Sequence, residues 1–191
     1  DYVSGYLDDC VRAMREATRR GFDRAQRRAV LGDGAPWIWN LATEHFPDAL
    51  QILDFFHMSQ HLYTVAKAMF PQDAAAVTAW VKDAQWALKR NLGCLVCRKI
   101  RDWEPETDAA QEVRRIELGF FTGNAERMRY KTFLEKGYMI GSGVIEAGCK
   151  HVVAKRVRQS GMHWREETAQ AVLAVRAYLK STNVPHLSTY A

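Results

Sequence analysis

The fold can be worked out from Ala29-Val30-Leu31-Gly32-Asp33-Gly34-Ala35-Pro36, where an apolar run meets a turn and a helix start. Three apolar residues followed by Gly-Asp-Gly predict a short buried strand that ends in the carboxylate of Asp33. Pro36 suits the first turn of a helix, because its missing N–H would have no partner there. That helix would turn a single apolar face to the core, formed by Ile38, Leu41, Ala42, His45 and Phe46.

A second apolar run, Leu50 to Phe56, follows the turn Phe46-Pro47-Asp48 and predicts a second buried strand. The order strand, helix, strand predicts two parallel neighbours. Asp33 would then lie at the carboxyl end of the first strand and Asp54 near that of the second. This is the edge where α/β sheets place their sites, although an Asp at such a position is often only a helix cap or turn former.

Another carboxylate follows a Gly-Ser-Gly turn in Met139-Ile140-Gly141-Ser142-Gly143-Val144-Ile145-Glu146-Ala147-Gly148-Cys149-Lys150-His151. Ser142 or Gly143 can cap the next helix, and on the second choice Glu146 falls at the N3 position of a capping box, which is its structural interpretation. The functional interpretation rests on the strongly basic helix behind it, because a lone acid before such a helix suits a metal held beside a polyanion. The basic residues on that helix are Lys150, His151, Lys155, Arg156 and Arg158.

Composition limits the class of protein. The 191 residues are 48% hydrophobic, which is enough for a sizeable core, and no run approaches the roughly 18 apolar residues of a membrane span. A net charge of +5, with seven Arg between Arg12 and Arg28, is compatible with a polyanionic partner. No secretory leader opens the chain, and four scattered cysteines suit a reducing cytoplasm, so we expect a cytoplasmic protein.

The remaining pattern is helical and divides the chain into four parts. An amphipathic helix runs from Asp1 to about Arg20 and ends at Gly21. Helices then follow from Met58 to about Phe133, with breaks at Pro71 and at Trp103 to Asp108. We predict an α/β core segment over 1–57, an all-helical insertion over 58–137, a return to the core over 138–180 with a strand stub at Tyr138 to Ile140, and a flexible tail over 181–191.

Two or three strands are too few for an independent parallel sheet. We therefore expect this chain to be the C-terminal part of a longer protein, whose N-terminal region supplies further strands.

Several ordered motifs carry a resemblance to a known family. They are Leu31 to Ala42, Phe46-Pro47-Asp48-Ala49, Gln51 to His57, Asn124-Ala125-Glu126-Arg127-Met128-Arg129-Tyr130, Gly141 to Lys150, and Lys155 to Trp164. Together they resemble the DDE transposases of bacterial insertion sequences, most closely the ISKra type. The similarity spans nearly the whole chain and is weakest in the helical block.

The resemblance implies a partial ribonuclease H-like core with an all-α insertion before the last catalytic acid. Such enzymes cut and join double-stranded DNA with three carboxylates that hold two Mg²⁺ or Mn²⁺ ions. Asp33 matches the second acid and Glu146 the third, while Asp54 and His57 match a supporting element. Trp164 matches an aromatic residue that contacts DNA, and we expect Lys150, Lys155, Arg156 and Arg158 to hold phosphates.

The first acid of the family has no match here, because it normally lies on an earlier strand of the core, and nothing upstream of the Ala29-Val30-Leu31 strand looks like one. We therefore expect the 191 residues alone to be inactive and to need the N-terminal region of the same protein. Members of the family act as multimers on DNA, which implies a homo-oligomer associated with the nucleoid.

Two alternatives stay open. The chain could be a non-catalytic basic DNA-binding or interaction domain derived from a truncated transposase. It could also hold zinc through His57, His61, Cys94 and Cys97, although Cys94 and Cys97 lie in an apolar helical run where buried free cysteine is ordinary. Among the tryptophans, we expect Trp37, Trp80 and Trp86 in the core and Trp164 on DNA.

Overall fold

A computed structural model describes residues 11, 14–143, 147, 157 and 161–180 of the chain. The chain divides into two compact units, Asp1–Gly141 and Ser142–Ala191, and each is described by itself below. Within the described residues the protein is a mostly helical α/β structure with one small parallel sheet. No helix in this part of the chain is long and apolar enough to cross a membrane.

The sheet consists of two short parallel strands, β1 (Ala29–Gly32) and β2 (Leu50–Leu53). They pair in register from Ala29 opposite Leu50 to Gly32 opposite Leu53. The helix α1 (Pro36–His45) connects them and begins at Pro36, as its sequence predicts. The predicted strand–helix–strand unit is therefore confirmed.

The second strand is shorter than the sequence predicts. It ends at Leu53, and Phe55 and Phe56 open the helix α2 (Phe55–Met69) instead of extending the strand. The reason is Asp54, whose carboxylate accepts hydrogen bonds from the backbone N–H groups of Phe56 and His57 and so caps the helix. Apolar residues alone could not distinguish the last strand residues from a buried helix start.

Helices make up the rest of the first unit, as predicted. Asp73 and Thr107 cap two of them through their side chains, and Asn91, with φ of 61°, ends one of them in the left-handed conformation. The bounds are α3 (Ala74–Leu88), α4 (Gly93–Asp102), α5 (Asp108–Gly123), a short 3-10 helix Ala125–Met128, and α6 (Tyr130–Glu135).

The core of this unit lies between the sheet, α2 and the helices that follow. Residues of α2 at helical spacing face inward and are completely buried, and both strands contribute to the same cluster. Its largest fully buried side chains are Ile52, Leu53, Met58, Leu62, Leu88, Ile100, Phe121 and Tyr130. Helical block and sheet therefore share one core.

Two tryptophans lie elsewhere than the sequence predicts. Trp37 and Trp86 are 46% and 54% exposed, although both were expected in the core. Trp80 does pack against the core. The expectation for Trp86 is wrong because its helix buries Val77, Val81, Ala84 and Leu88, which are enough to fill that face.

The N-terminal helix ends where the sequence predicts. Residues 14–19 are helical, and Gly21, with φ of 75°, follows them. The stub at Tyr138 to Ile140 is not a strand, although the Ile140 carbonyl accepts a hydrogen bond from the Phe55 N–H. The predicted helix from Val144 to Gln159 and the tail 181–191 lie almost wholly outside the described residues.

The described part of the second unit contains α7 (Glu166–Lys180), which begins two residues after the predicted start at Trp164. Gly161, with φ of 79°, lies in the turn before it.

Candidate functional site

Asp33 and Asp54 leave the sheet at the same edge. Gly32 and Leu53 are the last residues that pair between the two strands. Asp33 directly follows Gly32, and Asp54 directly follows Leu53. The Asp54 N–H donates a 2.7 Å hydrogen bond to the Gly32 carbonyl, which extends the parallel ladder by one step. The two carboxylates therefore start from adjacent strand ends, as the sequence predicts.

Asp33 is exposed, and a short turn fixes its orientation. One carboxylate oxygen, Oδ1, accepts a 2.9 Å hydrogen bond from the Ala35 N–H. This turn leaves Oδ2 without a hydrogen bond to any of the residues that the structure describes. An exposed carboxylate with a free oxygen on an oriented side chain can bind a hard cation.

The glycines on both sides of Asp33 are required by close packing. A Cβ on Gly32 would lie 2.8 Å from Ile38 Cγ2, so glycine lets α1 approach the end of β1. Gly34 has φ of 106°, and a Cβ there would lie 2.6 Å from Phe120 Cε2 on α5. The Gly-Asp-Gly sequence therefore holds Asp33 between two tightly packed backbone positions.

Asp54 has a different role from Asp33. It is 2% exposed, and its Oδ1 accepts from the Phe56 N–H at 2.7 Å and the His57 N–H at 3.1 Å. His57 Nδ1 lies 3.6 Å from the same oxygen on a half-exposed ring. This geometry makes Asp54 a buried helix cap at the sheet edge, with His57 beside it.

Tyr130 reaches the same edge from α6. Its hydroxyl donates a 3.0 Å hydrogen bond to the Leu53 carbonyl, the last of β2. Burial raises the pKa of Tyr130 far above its ordinary value, and the charge of Asp54 raises it further. The phenol is therefore a neutral donor that holds the end of the strand.

A cluster that the sequence did not predict lies behind the Asp33 turn. His61 Nδ1 is 2.8 Å from Glu117 Oε2, and the His61 ring stacks on Phe120 with centroids 3.6 Å apart. Glu117 is 6% exposed. The sequence does contain a signal for the burial of Glu117. This residue stands four positions from both Val113 and Phe121 and so lies on the apolar stripe of its helix.

The zinc alternative is not supported by the geometry. Among the residues that the structure describes, no three His, Cys, Asp or Glu side chains come together as metal ligands. His57 and His61 lie on α2 and Cys94 and Cys97 on α4, where burial raises the pKa of Cys97 and so disfavours its thiolate.

The remaining predicted site residues divide into two groups. Glu146, Lys150, Lys155, Arg156 and Arg158 lie outside the described residues. Trp164 is described within the second unit, where it is half-buried and precedes α7.

Of the three comparisons made with known proteins, one found a match. No curated protein and no solved structure matches the chain with significant similarity. A family model described as "Uncharacterised protein family (UPF0236)" matches residues 2–184, which is nearly the whole chain. The chain therefore belongs to the UPF0236 family.

Proposed function

We propose that this chain carries two of the three catalytic carboxylates of a metal-dependent DNA transposase, Asp33 and Glu146. The observation that carries the proposal is the position of Asp33. It is an exposed, oriented carboxylate at the carboxyl end of a parallel strand, which is where α/β folds place catalytic groups. Membership of UPF0236, a family often associated with transposase-like proteins, also supports the proposal.

The full protein would have a ribonuclease H-like core, of which β1, α1 and β2 are one unit. A two-stranded sheet is smaller than such a core, so further strands and the first acid would come from residues outside this chain. The helices over residues 58–137, from α2 to α6, would form the insertion between the second and third acids. Glu146 would supply the third acid, as the resemblance to the DDE transposases implies.

The donor set fits Mg²⁺ or Mn²⁺, because carboxylate oxygens are the ligands that hard divalent cations prefer. Two such ions would stabilise the attacking and leaving oxygens of a phosphodiester in line with each other. Asp33 would hold metal through its free oxygen, while the Ala35 N–H fixes the side chain. Asp54 and His57 would keep the start of α2 and the neighbouring strand end in place.

DNA would be held by charge. Lys150, Lys155, Arg156 and Arg158 follow Glu146 closely in the sequence, and such basic residues bind phosphates without reading bases. Trp164 would contact the DNA beside them. The protein would act as a homo-oligomer on transposon ends and target DNA in the bacterial cytoplasm, associated with the nucleoid.

The test is metal-dependent strand cleavage by the full-length protein. Asp33→Asn and Glu146→Gln should each lower the cleavage rate by on the order of 100-fold or more, since each removes a charged metal ligand. Asp48→Asn is the matched control, because Asp48 is an exposed acid before β2, at the opposite end of that strand. Cleavage that persists in both variants would refute the proposal, and DNA binding without any cleavage by the parent would favour the non-catalytic alternative.

A further inference from the structure

One pair of helices in the first unit carries an excess of positive charge. Residues 74–102, which form α3, α4 and their connection, carry six basic and two acidic side chains, a net charge of +4. The segment Arg12 to Arg28 is also basic, with seven Arg and two acidic residues. The six basic residues are Lys82, Lys89, Arg90, Arg98, Lys99 and Arg101, and all are exposed.

A groove of about 380 Å³ lies between these two helices. Its walls are mostly apolar and include Trp86 from α3 and Leu95 from α4, while Lys99 adds one positive charge and Asp83 one negative charge. This volume lies at the small end of the range for ligand pockets. It suits a group the size of a nucleobase with its sugar.

Trp86 is arranged as an exposed aromatic surface beside a cation. Its side chain is 54% exposed, although it is the largest side-chain type and belongs to a packed helix. The guanidinium carbon of Arg90 lies 3.9 Å from the centroid of the indole, which fixes the ring by a cation–π contact. An indole held in this way loses little conformational entropy when a second planar group stacks on it.

The helices that form the groove are anchored to the rest of the unit. Asn91, in the connection between α3 and α4, donates a 2.7 Å hydrogen bond to Thr132 Oγ1 and accepts one of 3.0 Å from the Lys131 N–H. Gln85 donates a 3.0 Å hydrogen bond to Ser59 Oγ on α2. The groove is therefore built on rigid elements, as precise binding sites require.

We propose that the groove beside Trp86 binds an unpaired nucleotide of a DNA strand, whose base stacks on the indole and whose phosphates contact Arg90 and Lys99. The combination of an aromatic surface with surrounding cations is the pattern that binds single-stranded nucleic acid. Inside a duplex, both faces of a base are covered by the bases stacked above and below it. The base that stacks on Trp86 must therefore be an unpaired one. This inference deepens the proposed function and rests on it for the identity of the polyanion as DNA.

The experiment measures binding of fluorescent oligonucleotides to the 191-residue chain in EDTA, so that no metal chemistry contributes. A single strand of about 16 nucleotides should bind more tightly than the corresponding duplex. Trp86→Leu should weaken binding of the single strand about 5- to 100-fold, whereas Trp86→Phe should recover most of the loss, because phenylalanine also stacks. Circular dichroism of each variant establishes that it is folded.

The salt dependence of the affinity tests the phosphate contacts. Arg90→Gln and Lys99→Gln should each reduce the slope of log affinity against log salt concentration by about 0.7, the value for one phosphate contact on a single strand. Lys67→Gln is the matched control, since Lys67 is an exposed lysine on α2 outside the groove. The slope of log affinity against log salt concentration for Lys67→Gln should equal that of the parent.

Three results would overturn the inference. The first is equal binding of the single strand by the parent and by Trp86→Leu. The second is an equal change of slope in Lys67→Gln and Lys99→Gln, which would indicate diffuse charge. The third is a change of oligomeric state in Trp86→Leu with unchanged DNA binding, which would indicate that a second copy of the chain occupies the groove. Absence of cleavage by the full-length protein would refute the proposed function alone, because this binding assay needs no catalysis.

Discussion

The ring of Phe120 lies directly against Gly34, so close that a Cβ on Gly34 would come within 2.6 Å of its Cε2 atom. This contact joins α5 of the helical block to the turn that carries Asp33. Behind it, Phe120 stacks on His61, and His61 is hydrogen-bonded to Glu117. The position of Asp33 therefore depends on helices that are distant from it in the sequence.

Gly34→Ala should destabilise the protein by about 1–3 kcal/mol, because alanine is strained at a φ of 106° and its methyl group would overlap Phe120. Chemical denaturation measures the free energy of unfolding. The control is Gly119→Ala on α5, where a Cβ would meet nothing within 4 Å and alanine favours the helix by about 0.5–1 kcal/mol. Equal stability of the two variants would contradict this account of the turn.

The pair His61 and Glu117 should show strong coupling. His61→Leu leaves the buried carboxylate of Glu117 without its partner, which is costly in a site that excludes water. The double variant His61→Leu with Glu117→Leu should be more stable than His61→Leu alone, and a double-mutant cycle should give a coupling energy of about 1–3 kcal/mol. Additive effects in that cycle would show that the two side chains act independently.

Asp54→Ala should cost about 1–2 kcal/mol of stability through loss of the cap on α2, whereas Asp54→Asn should cost much less. Asparagine keeps an oxygen that can accept from the Phe56 and His57 N–H groups. The comparison also separates a cap from a metal ligand, since the charge is lost in both variants. If Asp54→Asn abolished metal binding in a folded protein, the assignment of Asp54 as a cap alone would be wrong.

Tyr130→Phe should lower the free energy of unfolding by about 0.5–1.5 kcal/mol, because the hydrogen bond to the Leu53 carbonyl is lost. The folded state raises the pKa of Tyr130 above its unfolded value of about 10, so it holds the phenolic proton more tightly than the unfolded chain. The contribution of this proton to stability is complete below about pH 10 and declines as the pH rises above it. Denaturation of parent and variant between about pH 8 and 11 should show a decline that is smaller in the variant.

Local signals in the sequence were sufficient for the sheet. The apolar run Ala29-Val30-Leu31, the Gly-Asp-Gly turn after it and Pro36 correctly predicted β1, α1 and the position of Asp33 between them. The end of β2 was wrong because Phe55 and Phe56 are apolar in either element, and only the capping hydrogen bonds of Asp54 decide between strand and helix.

Contacts between distant residues could not be predicted in the same way. The pair of His61 with Glu117 spans 56 residues, and the hydrogen bond from Tyr130 to Leu53 spans 77. Each depends on how α2, α5 and α6 pack, which periodicity does not specify. The exposure of Trp86 is a different case, because Val77, Val81, Ala84 and Leu88 recur at helical spacing and fill the core face of α3, so periodicity alone places Trp86 on the opposite face.

Joint binding of divalent metal by Asp33 and Glu146 can be measured by calorimetric titration of the full-length protein with Mn²⁺. The parent and Asp48→Asn should bind Mn²⁺ alike, while Asp33→Asn and Glu146→Gln should each bind at least about 10-fold more weakly. Thermal denaturation without metal provides the control for folding. If both variants bind Mn²⁺ as tightly as the parent, neither Asp33 nor Glu146 is a metal ligand, and the two are only a turn former and a helix cap.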